Sequence, residues 1–351
     1  TFFALSDADA GNASGGLLAG DLDRDGFPDL LAVDGAGSLL PFLSDAPTTP
    51  TLSAQAAEAS APTLTQTTPE DLASADLDGN GVLDFLIPHS GTDDSVARVV
   101  SASLPFPISP TSGASAYATG VDPDRVAIAD FNGDGDPDAI VGSTAVMFQA
   151  EILLGDGSTK GGLAALTSAT TLTWSDFAAG IASGDFDRDG RPDLVSVGAS
   201  RLGVSLQSAD LAFASLVDTA LAGAAGGLAV GDLDRDGDLD LVVTIRGLAQ
   251  DRVEVYPGQG DGTFGAPFSA LTSGDTNPRS LILIDKNRDG VLDAVVAEGS
   301  AVQLYRGNGV SLSNALVGDN YAAPSPVEAV LSDDFNRDGL ADVAAVCSAG
   351  T

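Results

Sequence analysis

The sequence predicts an all-β protein, a seven-bladed β-propeller of four-stranded antiparallel blades with an acidic loop in each blade. Three observations lead to this prediction. Short apolar runs flank every loop, helical periodicity is nearly absent, and repeats of roughly fifty residues with four strand-like segments are typical of propeller blades. The loop itself has the form D-x-[D/N]-x-[D/N]-G-x-x-D and recurs seven times as loops 1 to 7, starting at Asp21, Asp76, Asp130, Asp185, Asp232, Asp285 and Asp334.

Each blade is expected to begin with a hairpin around its loop. Runs such as 180–184 precede the loops and runs such as 194–197 follow them, and many are rich in Val, Ile and Leu. Short runs of this kind, bounded by Gly or Asp, predict buried strands. A third strand-like segment usually comes next, for example at 203–207, 252–256 and 302–305, and turn-rich sequence leads to a fourth. Closure into a ring would hide the edge strands that an open sheet exposes.

The two ends of the chain are expected to share the last blade. Residues 334–351 suffice for loop 7 and one strand, and residues 1–5 resemble 268–271, the fourth strand of an earlier repeat. We therefore predict a single domain over residues 1–351, in which residues 1–14 complete the last blade with residues 326–351. About one strand and a turn would still be missing. A natural chain that continues beyond Thr351 is the favoured interpretation, and a thin blade or a strand donated by a partner are the alternatives.

Composition excludes several classes of protein. The 351 residues include 50 acidic and 15 basic side chains, for a formal net charge of −35, so binding to nucleic acid through a basic surface is not expected. No apolar run is long enough to insert directly into a membrane. Cys347 is the single cysteine, which rules out an intrachain disulfide. So acidic a surface suits an extracellular or a saline environment, and composition does not choose between them; we expect a secreted or cell-surface protein.

The loops have the spacing of oxygen ligands around a hard cation. Positions 1, 3, 5 and 9 carry Asp or Asn, and position 6 is always Gly, which allows a tight turn. Ca²⁺ takes about six to eight oxygen ligands in a loose arrangement. We therefore predict up to seven structural Ca²⁺ ions. Their side-chain ligands are Asp21, Asp23, Asp25 and Asp29 in loop 1; Asp76, Asp78, Asn80 and Asp84 in loop 2; Asp130, Asn132, Asp134 and Asp138 in loop 3; Asp185, Asp187, Asp189 and Asp193 in loop 4; Asp232, Asp234, Asp236 and Asp240 in loop 5; Asp285, Asn287, Asp289 and Asp293 in loop 6; and Asp334, Asn336, Asp338 and Asp342 in loop 7.

These loops and their flanking strands resemble FG-GAP/VCBS repeats, as found in the N-terminal propeller of integrin α subunits. The sequence VYPGQGDGTF at 255–264 is similar to a second motif of VCBS repeats, and residues 153–157 match this motif less closely. The resemblance covers essentially the whole chain, and seven-bladed fungal and bacterial lectins share this repeat class. It implies that position 7 adds a backbone carbonyl ligand in each loop. The residues concerned are Phe27, Val82, Asp136, Arg191, Asp238, Val291 and Leu340.

The loops fit an EF-hand or a set of plain turns less well than a metal-binding repeat. An EF-hand needs an acidic ligand at position 12, where this chain has Ala32, Ile87, Val141, Ser196, Val243, Val296 and Ala345. Asp and Gly are also common turn formers, but four positions kept in seven loops favour a metal. Clustered carboxylates repel one another without an ion, so binding and folding should be coupled. Loops 1, 4 and 5, with four Asp, are predicted to bind more tightly than the loops with one Asn.

No catalytic constellation is visible, so we do not expect an enzyme. His89 is the single histidine, which argues against His-based triads and multi-His zinc sites. Cys347 follows a predicted buried strand and is interpreted as a core residue. Nearly all close pairs of carboxylates belong to the metal loops, which leaves few for a lyase or hydrolase of the propeller kind.

The expected function is that of an extracellular binding or adhesion module for a protein or glycan ligand. A lectin with several repeated sugar sites is one alternative, although the chain has one Trp and four Tyr to stack on sugars. A structural module of a larger surface protein or assembly is another. Ligands would bind at loops opposite the calcium turns or in grooves between blades. Candidate residues there are Trp174, Tyr117, Arg201, Arg246 and Arg252, together with Asp93, Asp94, Asp122, Asp176, Asp251 and Arg279.

Overall fold

The structure, a computed structural model, describes most of the chain as strands and tight turns. It describes residues 2–5, 16–33, 39–44, 52–54, 71–77, 79, 81, 83–89, 95–99, 115–118, 123–143, 149–155, 163–165, 172–173, 179–209, 211–272, 277–313 and 320–347. Every regular element in these ranges is a β-strand, and none of them contains a helix that could cross a membrane.

The strands form sheets that we number by the loop they contain. After β1 (Phe2–Leu5), sheet 1 holds β2 (Leu17–Gly20), β3 (Asp29–Val33), β4 (Leu39–Ser44) and β5 (Leu52–Ala54), and sheet 2 holds β6 (Ala73–Ala75), β7 (Asp84–His89), β8 (Ser95–Val99) and β9 (Ser115–Ala118). Sheet 3 holds β10 (Pro123–Ala129), β11 (Asp138–Ser143), β12 (Gln149–Gly155) and β13 (Leu163–Ala165), with β14 (Leu172–Thr173) also on β12.

The second half of the chain continues in the same way. Sheet 4 holds β15 (Gly180–Gly184), β16 (Asp193–Val197), β17 (Arg201–Ser205) and β20 (Val217–Ala220), and β18 (Gln207–Ala209) pairs with β19 (Ala212–Phe213) as a separate hairpin. Sheet 5 holds β21 (Ala224–Gly231), β22 (Asp240–Arg246), β23 (Arg252–Tyr256) and β24 (Phe268–Leu271). Sheet 6 holds β25 (Leu281–Ile284), β26 (Asp293–Glu298), β27 (Ala301–Gly307) and β28 (Leu312–Ser313), with β29 (Asn320–Ala322) also on β27. Sheet 7 holds β30 (Val327–Asp333), β31 (Asp342–Cys347) and β1.

The prediction of seven uniform four-stranded antiparallel blades needs correction. Within the described residues, five sheets rather than seven follow the plan of four strands in consecutive chain order, namely sheets 1, 2, 3, 5 and 6. In sheet 4 the chain between β17 and β20 leaves the sheet to form the hairpin β18–β19, whose apolar side chains pack on sheet 3 instead.

Sheet 7 departs further, with three strands in the order β1-β31-β30 and a parallel pair. Phe2 lies opposite Val343 and Leu5 opposite Val346 in that pair. In an antiparallel sheet the fourth strand runs parallel to the second. Since no third strand separates them among the described residues of this sheet, β1 pairs directly with β31, and the pair is parallel rather than antiparallel.

The core lies between the sheets, which is the arrangement of a β-propeller. Second strands such as β3 are buried on both faces, with alternate side chains turned towards opposite neighbours. Leu30 packs in a cluster with Phe335 of sheet 7, whereas Leu31 packs in another cluster with Phe85 of sheet 2. Further clusters join sheets 2 and 3, 3 and 4, 4 and 5, 5 and 6, and 6 and 7. Cys347 is buried in the last of these.

Candidate metal loops

The Asp-rich loops connect the first strand of each sheet to its second strand. Loop 1 lies between β2 and β3 and loop 4 between β15 and β16, and the other loops follow the same plan. First strands of neighbouring sheets contact one another through most of the molecule. The loops therefore lie along one rim, which we call the loop rim. The opposite ends of the strands form the far rim.

Position 9 of each loop is a buried Asp at the start of the second strand. In loop 4, Asp193 Oδ2 accepts a hydrogen bond from the N–H of Phe186 at 2.8 Å, and its Oδ1 accepts one from the N–H of Gln207 at 2.7 Å. The carboxylate thus ties its loop to the end of the third strand. The same two bonds recur in loops 1, 3, 5 and 6, at Asp29, Asp138, Asp240 and Asp293.

Positions 1 and 5 shape the turn with their carboxylates. In loop 4, Asp185 Oδ2 accepts the N–H of Gly190 at 2.9 Å, and Asp189 Oδ1 accepts the N–H of Arg191 at 2.9 Å. Equivalent bonds to position 1 occur in loops 2, 3, 5, 6 and 7, and equivalent bonds to position 5 occur in loops 1, 3, 5, 6 and 7. The backbone is therefore curled around its own acidic side chains.

Two backbone positions in each loop are left-handed, and the sequence predicted one of them. Position 6 is Gly, with φ of 85° at Gly190 for example. Position 4 is also left-handed, with φ of 61° at Arg188, although arginine rarely adopts that conformation. The recurrence of Arg at this position in loops 1, 4, 5, 6 and 7 is the signal that could have revealed it.

In the three loops whose positions 1, 3 and 9 are all Asp and all described, the acidic side chains converge. Carboxylate oxygens from positions 1, 3 and 9 lie within 4.8 Å of one another in loops 1, 4 and 5. The groups are Asp21, Asp23 and Asp29; Asp185, Asp187 and Asp193; and Asp232, Asp234 and Asp240. These are the loops with Asp at all four predicted side-chain positions. The position-5 carboxylate is not part of the groups.

Position 1 of some loops has a buried carboxylate oxygen without a hydrogen-bond partner. Among the described residues, Asp232 Oδ1 in loop 5 and Asp334 Oδ1 in loop 7 are in this state, both at position 1. A buried carboxylate oxygen without a partner is costly unless something outside the chain satisfies it. Hard, mostly anionic oxygens with unused lone pairs are the donors that Ca²⁺ prefers, so the residues present fit this ion.

The pKa values of the acidic groups reflect first their burial and then the charges of their neighbours. Burial raises the pKa of Asp29 and of Asp193 to about 6, despite the hydrogen bonds that both carboxylates accept. Burial also raises the pKa of Asp23 and of Asp234 at position 3, and the charges of neighbouring loop carboxylates act in the same direction. The loops by themselves therefore disfavour full ionisation, and a bound cation would reverse that preference.

The predicted carbonyl ligands at position 7 carry side chains that differ in exposure. The side chain of Asp238 is buried and that of Leu340 is 41% exposed. Such variation is compatible with a position whose side chain does not bind the ion. Three predicted ligands of loop 2, Asp78, Asn80 and Val82, lie outside the described residues.

The predicted ligand-binding arginines lie at strand ends of the far rim. Arg201 begins β17, Arg246 ends β22 and Arg252 begins β23. Arg201 Nη1 is 3.8 Å from the carboxylate of Asp218 in the adjacent outer strand. Arg246 is half-buried. Trp174 lies outside the described residues, as do Asp93, Asp94, Asp122 and Asp176, and of Tyr117 the structure describes the backbone in β9.

Some far-rim residues are engaged in internal bonds. Arg252 Nε donates to the buried Glu254 carboxylate at 2.7 Å, and the same carboxylate accepts the hydroxyl of Tyr256 at 2.6 Å. Asp251 is buried and accepts the N–H groups of Leu248 and Asn277 at 3.3 and 3.0 Å. Arg279 forms an ion pair with Glu328 of the next sheet. Arg246, and Arg201 with its long 3.8 Å ion pair to Asp218, are therefore the better candidates for contact with a ligand.

Comparison with known proteins agrees with this architecture. A family profile described as "FG-GAP-like repeat" matches residues 185–243 and 232–296. The chain thus carries FG-GAP-like repeats in a β-propeller arrangement. No curated protein matches the chain.

Two solved structures have a similar fold. One is a BBS1N chain crystallised in complex with ARL6DN, with a TM-score of 0.60, 14% identity, and coverage of 93% of this chain and 88% of that chain. The other is a lectin of Agrocybe aegerita, described as recognising non-reducing terminal N-acetylglucosamine. It has a TM-score of 0.60 and 17% identity, and covers 97% of this chain and 88% of its own. Identities this low establish similarity of fold alone.

Proposed function

We propose that this FG-GAP-like propeller is a calcium-stabilised extracellular module that binds a protein or a glycan. The observation that carries the proposal is the acidic loop repeated along one rim, with a buried position-1 oxygen in loops 5 and 7 that no protein group satisfies. That rim has a structural task, so ligand recognition is assigned to the far rim and to the grooves between sheets.

Ca²⁺ would be held by the side chains at positions 1, 3, 5 and 9 and by the carbonyl of position 7. When bound, it supplies positive charge that offsets the repulsion among the loop carboxylates. The chain's part is to hold the oxygens of positions 1, 3 and 9 close together, as it does in loops 1, 4 and 5, through the left-handed turns and the buried position-9 Asp. The tighter binding proposed for loops 1, 4 and 5 rests on charge, since three carboxylates converge there, whereas loops 3, 6 and 7 have a neutral Asn at position 3.

We propose further that the complete ring has seven blades within a single domain of residues 1–351. Support comes from the interfaces between sheets, since the apolar clusters join neighbouring sheets in succession and return from sheet 7 to sheet 1. The pairing of β1 with β31 supports the assignment of residues 1–14 and 326–351 to one blade.

The role proposed is recognition, without catalysis. The BBS1N structure contains a protein partner and the Agrocybe lectin recognises a sugar, so this fold supports either kind of ligand. Adhesion at the cell surface, alone or as a module of a larger protein, would use the same surfaces. Among the buried carboxylates away from the loops, Glu254 and Glu298 are bonded to Tyr256 and Tyr305, which favours a structural role for both.

A lectin is the second candidate function, favoured by the similarity to the Agrocybe protein. A glycan array that includes terminal N-acetylglucosamine, probed with calcium and with chelator, tests it. Binding in calcium is expected to fall about tenfold in Arg246→Ala at the far rim and to be unchanged in Asp261→Asn, an exposed turn residue near the loop rim. Silence across all sugars would exclude the lectin and leave protein recognition.

A further inference from the structure

Five loops place an arginine in a backbone conformation that glycine would adopt more easily. Arg24, Arg188, Arg235, Arg288 and Arg337 have φ angles of 59°, 61°, 66°, 59° and 55°. In loops 2 and 3 the same position is Gly79 and Gly133, with φ of 69° and 75°. Because a left-handed arginine is strained where a glycine is not, the side chain is expected to make a contact that offsets the strain.

That contact is with the next loop around the ring. Arg188 of loop 4 donates through Nη2 to the carbonyl oxygen of Asp236 in loop 5 at 2.9 Å. Arg235 of loop 5 donates to the carbonyl oxygen of Asp289 in loop 6 at 2.7 Å. In loop 1, Arg24 donates to the carbonyl oxygen of Gly81 in loop 2.

Loops 6 and 7 continue the series. The guanidinium of Arg288 lies beside Gly339 of loop 7, so close that a Cβ added to this glycine would collide with it. The guanidinium of Arg337 lies in the same way beside Gly26 of loop 1, and is 4.2 Å from the centroid of the Phe27 ring. The bridges therefore run from loop 4 through loops 5, 6 and 7 to loop 1 and on to loop 2.

The bridged atoms belong to the segment that carries the proposed metal ligands. Each arginine lies between positions 3 and 5 of its own loop and reaches positions 5 to 7 of the next. Arg188, for example, also forms an ion pair with Asp238, at position 7 of loop 5. Simple charge neutralisation does not account for the pattern, since the hydrogen bonds that recur are to backbone carbonyls.

We propose that the position-4 arginines couple neighbouring loops, so that a cation bound in one loop raises the affinity of the loop to which its arginine reaches. Binding orders positions 3 and 5, which orients the arginine and in turn the ligand segment of the next loop. The coupling is reciprocal by thermodynamic linkage, and it is interrupted after loops 2 and 3, where glycine replaces arginine. This inference rests on the proposed binding of Ca²⁺.

Calcium titration of the full chain labelled with ¹⁵N-glycine tests the coupling, because the position-6 glycine amides report each loop separately. Disabling loop 4 with Asp185→Ala is expected to raise the calcium midpoint at Gly237 of loop 5 about five- to tenfold. The substitution Arg188→Gly keeps the left-handed turn but removes the bridge. In this variant, adding Asp185→Ala is expected to leave the calcium midpoint of Gly237 unchanged. The matched control disables loop 2 with Asp76→Ala and follows Gly135 of loop 3, which should not shift because Gly79 forms no bridge.

The possible outcomes distinguish the proposed coupling between loops from the proposed binding of Ca²⁺. An equal shift at Gly237 with and without Arg188 overturns the coupling and leaves calcium binding intact. A native chain in which no loop glycine responds to Ca²⁺ overturns both. If Asp185→Ala does not fold, Arg188→Gly alone still tests the coupling. Coupling predicts that the calcium titration curve at Gly237 becomes less steep in this variant, and an unchanged curve contradicts it.

Discussion

The position-9 aspartate combines two tasks in one carboxylate. Asp193 satisfies backbone N–H groups of its loop and of the third strand, and it belongs to the acidic trio of loop 4. Its spacing in the sequence predicted the second task. The first was not predicted, because it depends on a strand that comes later in the chain.

Replacing this carboxylate should destabilise the protein even without metal. Asp193→Ala leaves the buried N–H groups of Phe186 and Gln207 unpaired, and we expect a loss of about 3 kcal/mol in the free energy of unfolding. Urea denaturation in excess chelator measures it. Asp218→Ala, in an exposed outer strand, is the control and should change stability by less than about 0.5 kcal/mol. Equal effects of the two substitutions would contradict the structural role of Asp193.

The raised pKa values predict opposite pH dependences with and without calcium. In the folded, metal-free protein the carboxyls of Asp29 and Asp193 have pKa values of about 6, above the ordinary 3.8, so between those values the folded state holds more protons than the unfolded state. Their contribution to stability is therefore present at low pH and lost as pH rises through about 6. Calcium needs the ionised carboxylates, so the stabilisation it provides should grow over the same range.

Thermal melting at pH 4.5 and 7.5 (about one and a half units on either side of 6), in calcium and in chelator, checks this. The difference in Tm between calcium and chelator should be clearly larger at the higher pH. The double variant Asp29→Asn/Asp193→Asn is the control, and should show a flatter profile in chelator. A calcium effect that is the same at both pH values would count against the loops as the binding sites.

At the scale of elements, the connection from the third to the fourth strand folds back onto the loop of the preceding sheet. In sheet 5 this connection brings Phe264 against Phe186, with ring centroids 5.8 Å apart, and the N–H of Gly262 donates to the carbonyl of Phe186 at 2.9 Å. The hairpin β18–β19 does the same to loop 3, through Phe213 and Gln207, which contact Phe131. In sheet 4 this connection forms a hairpin of its own, which is the departure from the predicted plan.

Two glycines can be used to test how closely the connection of sheet 5 packs against the preceding sheet. Gly262 and Gly247 have φ of +80° and +79°, but a Cβ at Gly262 would collide with Leu206, whereas one at Gly247 meets nothing within 4 Å. Gly247→Ala should cost about 1 kcal/mol from backbone strain, and Gly262→Ala about 1 kcal/mol or more beyond that. Chemical denaturation measures both. If the two variants are equally stable, the close docking of this connection is not confirmed.

For the whole molecule, calcium should be a main source of stability. A ligand that binds the folded state stabilises it by about 2.7 kcal/mol per site at a hundred times its dissociation constant, and several loops would contribute. Chelation should therefore lower the Tm by more than about 10 °C, as scanning calorimetry can measure. Magnesium should restore less than calcium does, because it demands a stricter octahedral geometry. A Tm that is unchanged after prolonged dialysis against chelator would exclude the stabilising role.

The all-β class, the hairpins and the positions of the acidic side chains could be predicted from the sequence, because each depends on local spacing. Short apolar runs bounded by Gly or Asp predict buried strands, and carboxylates at positions 1, 3 and 9 face one another as soon as Gly190 and its equivalents turn the backbone. The predicted side-chain ligands of loops 1, 4 and 5 accordingly come together at positions 1, 3 and 9, whereas position 5 is not part of these groups.

Only the tertiary structure could decide features that join distant parts of the chain. The parallel pair of β1 and β31 depends on which strands meet when the ring closes. The docking of β18–β19 on loop 3 and the reach of Arg188 to loop 5 join residues of different sheets, roughly fifty to eighty positions apart, which no local pattern encodes. The Asp-rich loop by itself therefore predicted a set of metal sites, and the packing of one sheet against the next brings the arginines of these loops into contact with neighbouring loops.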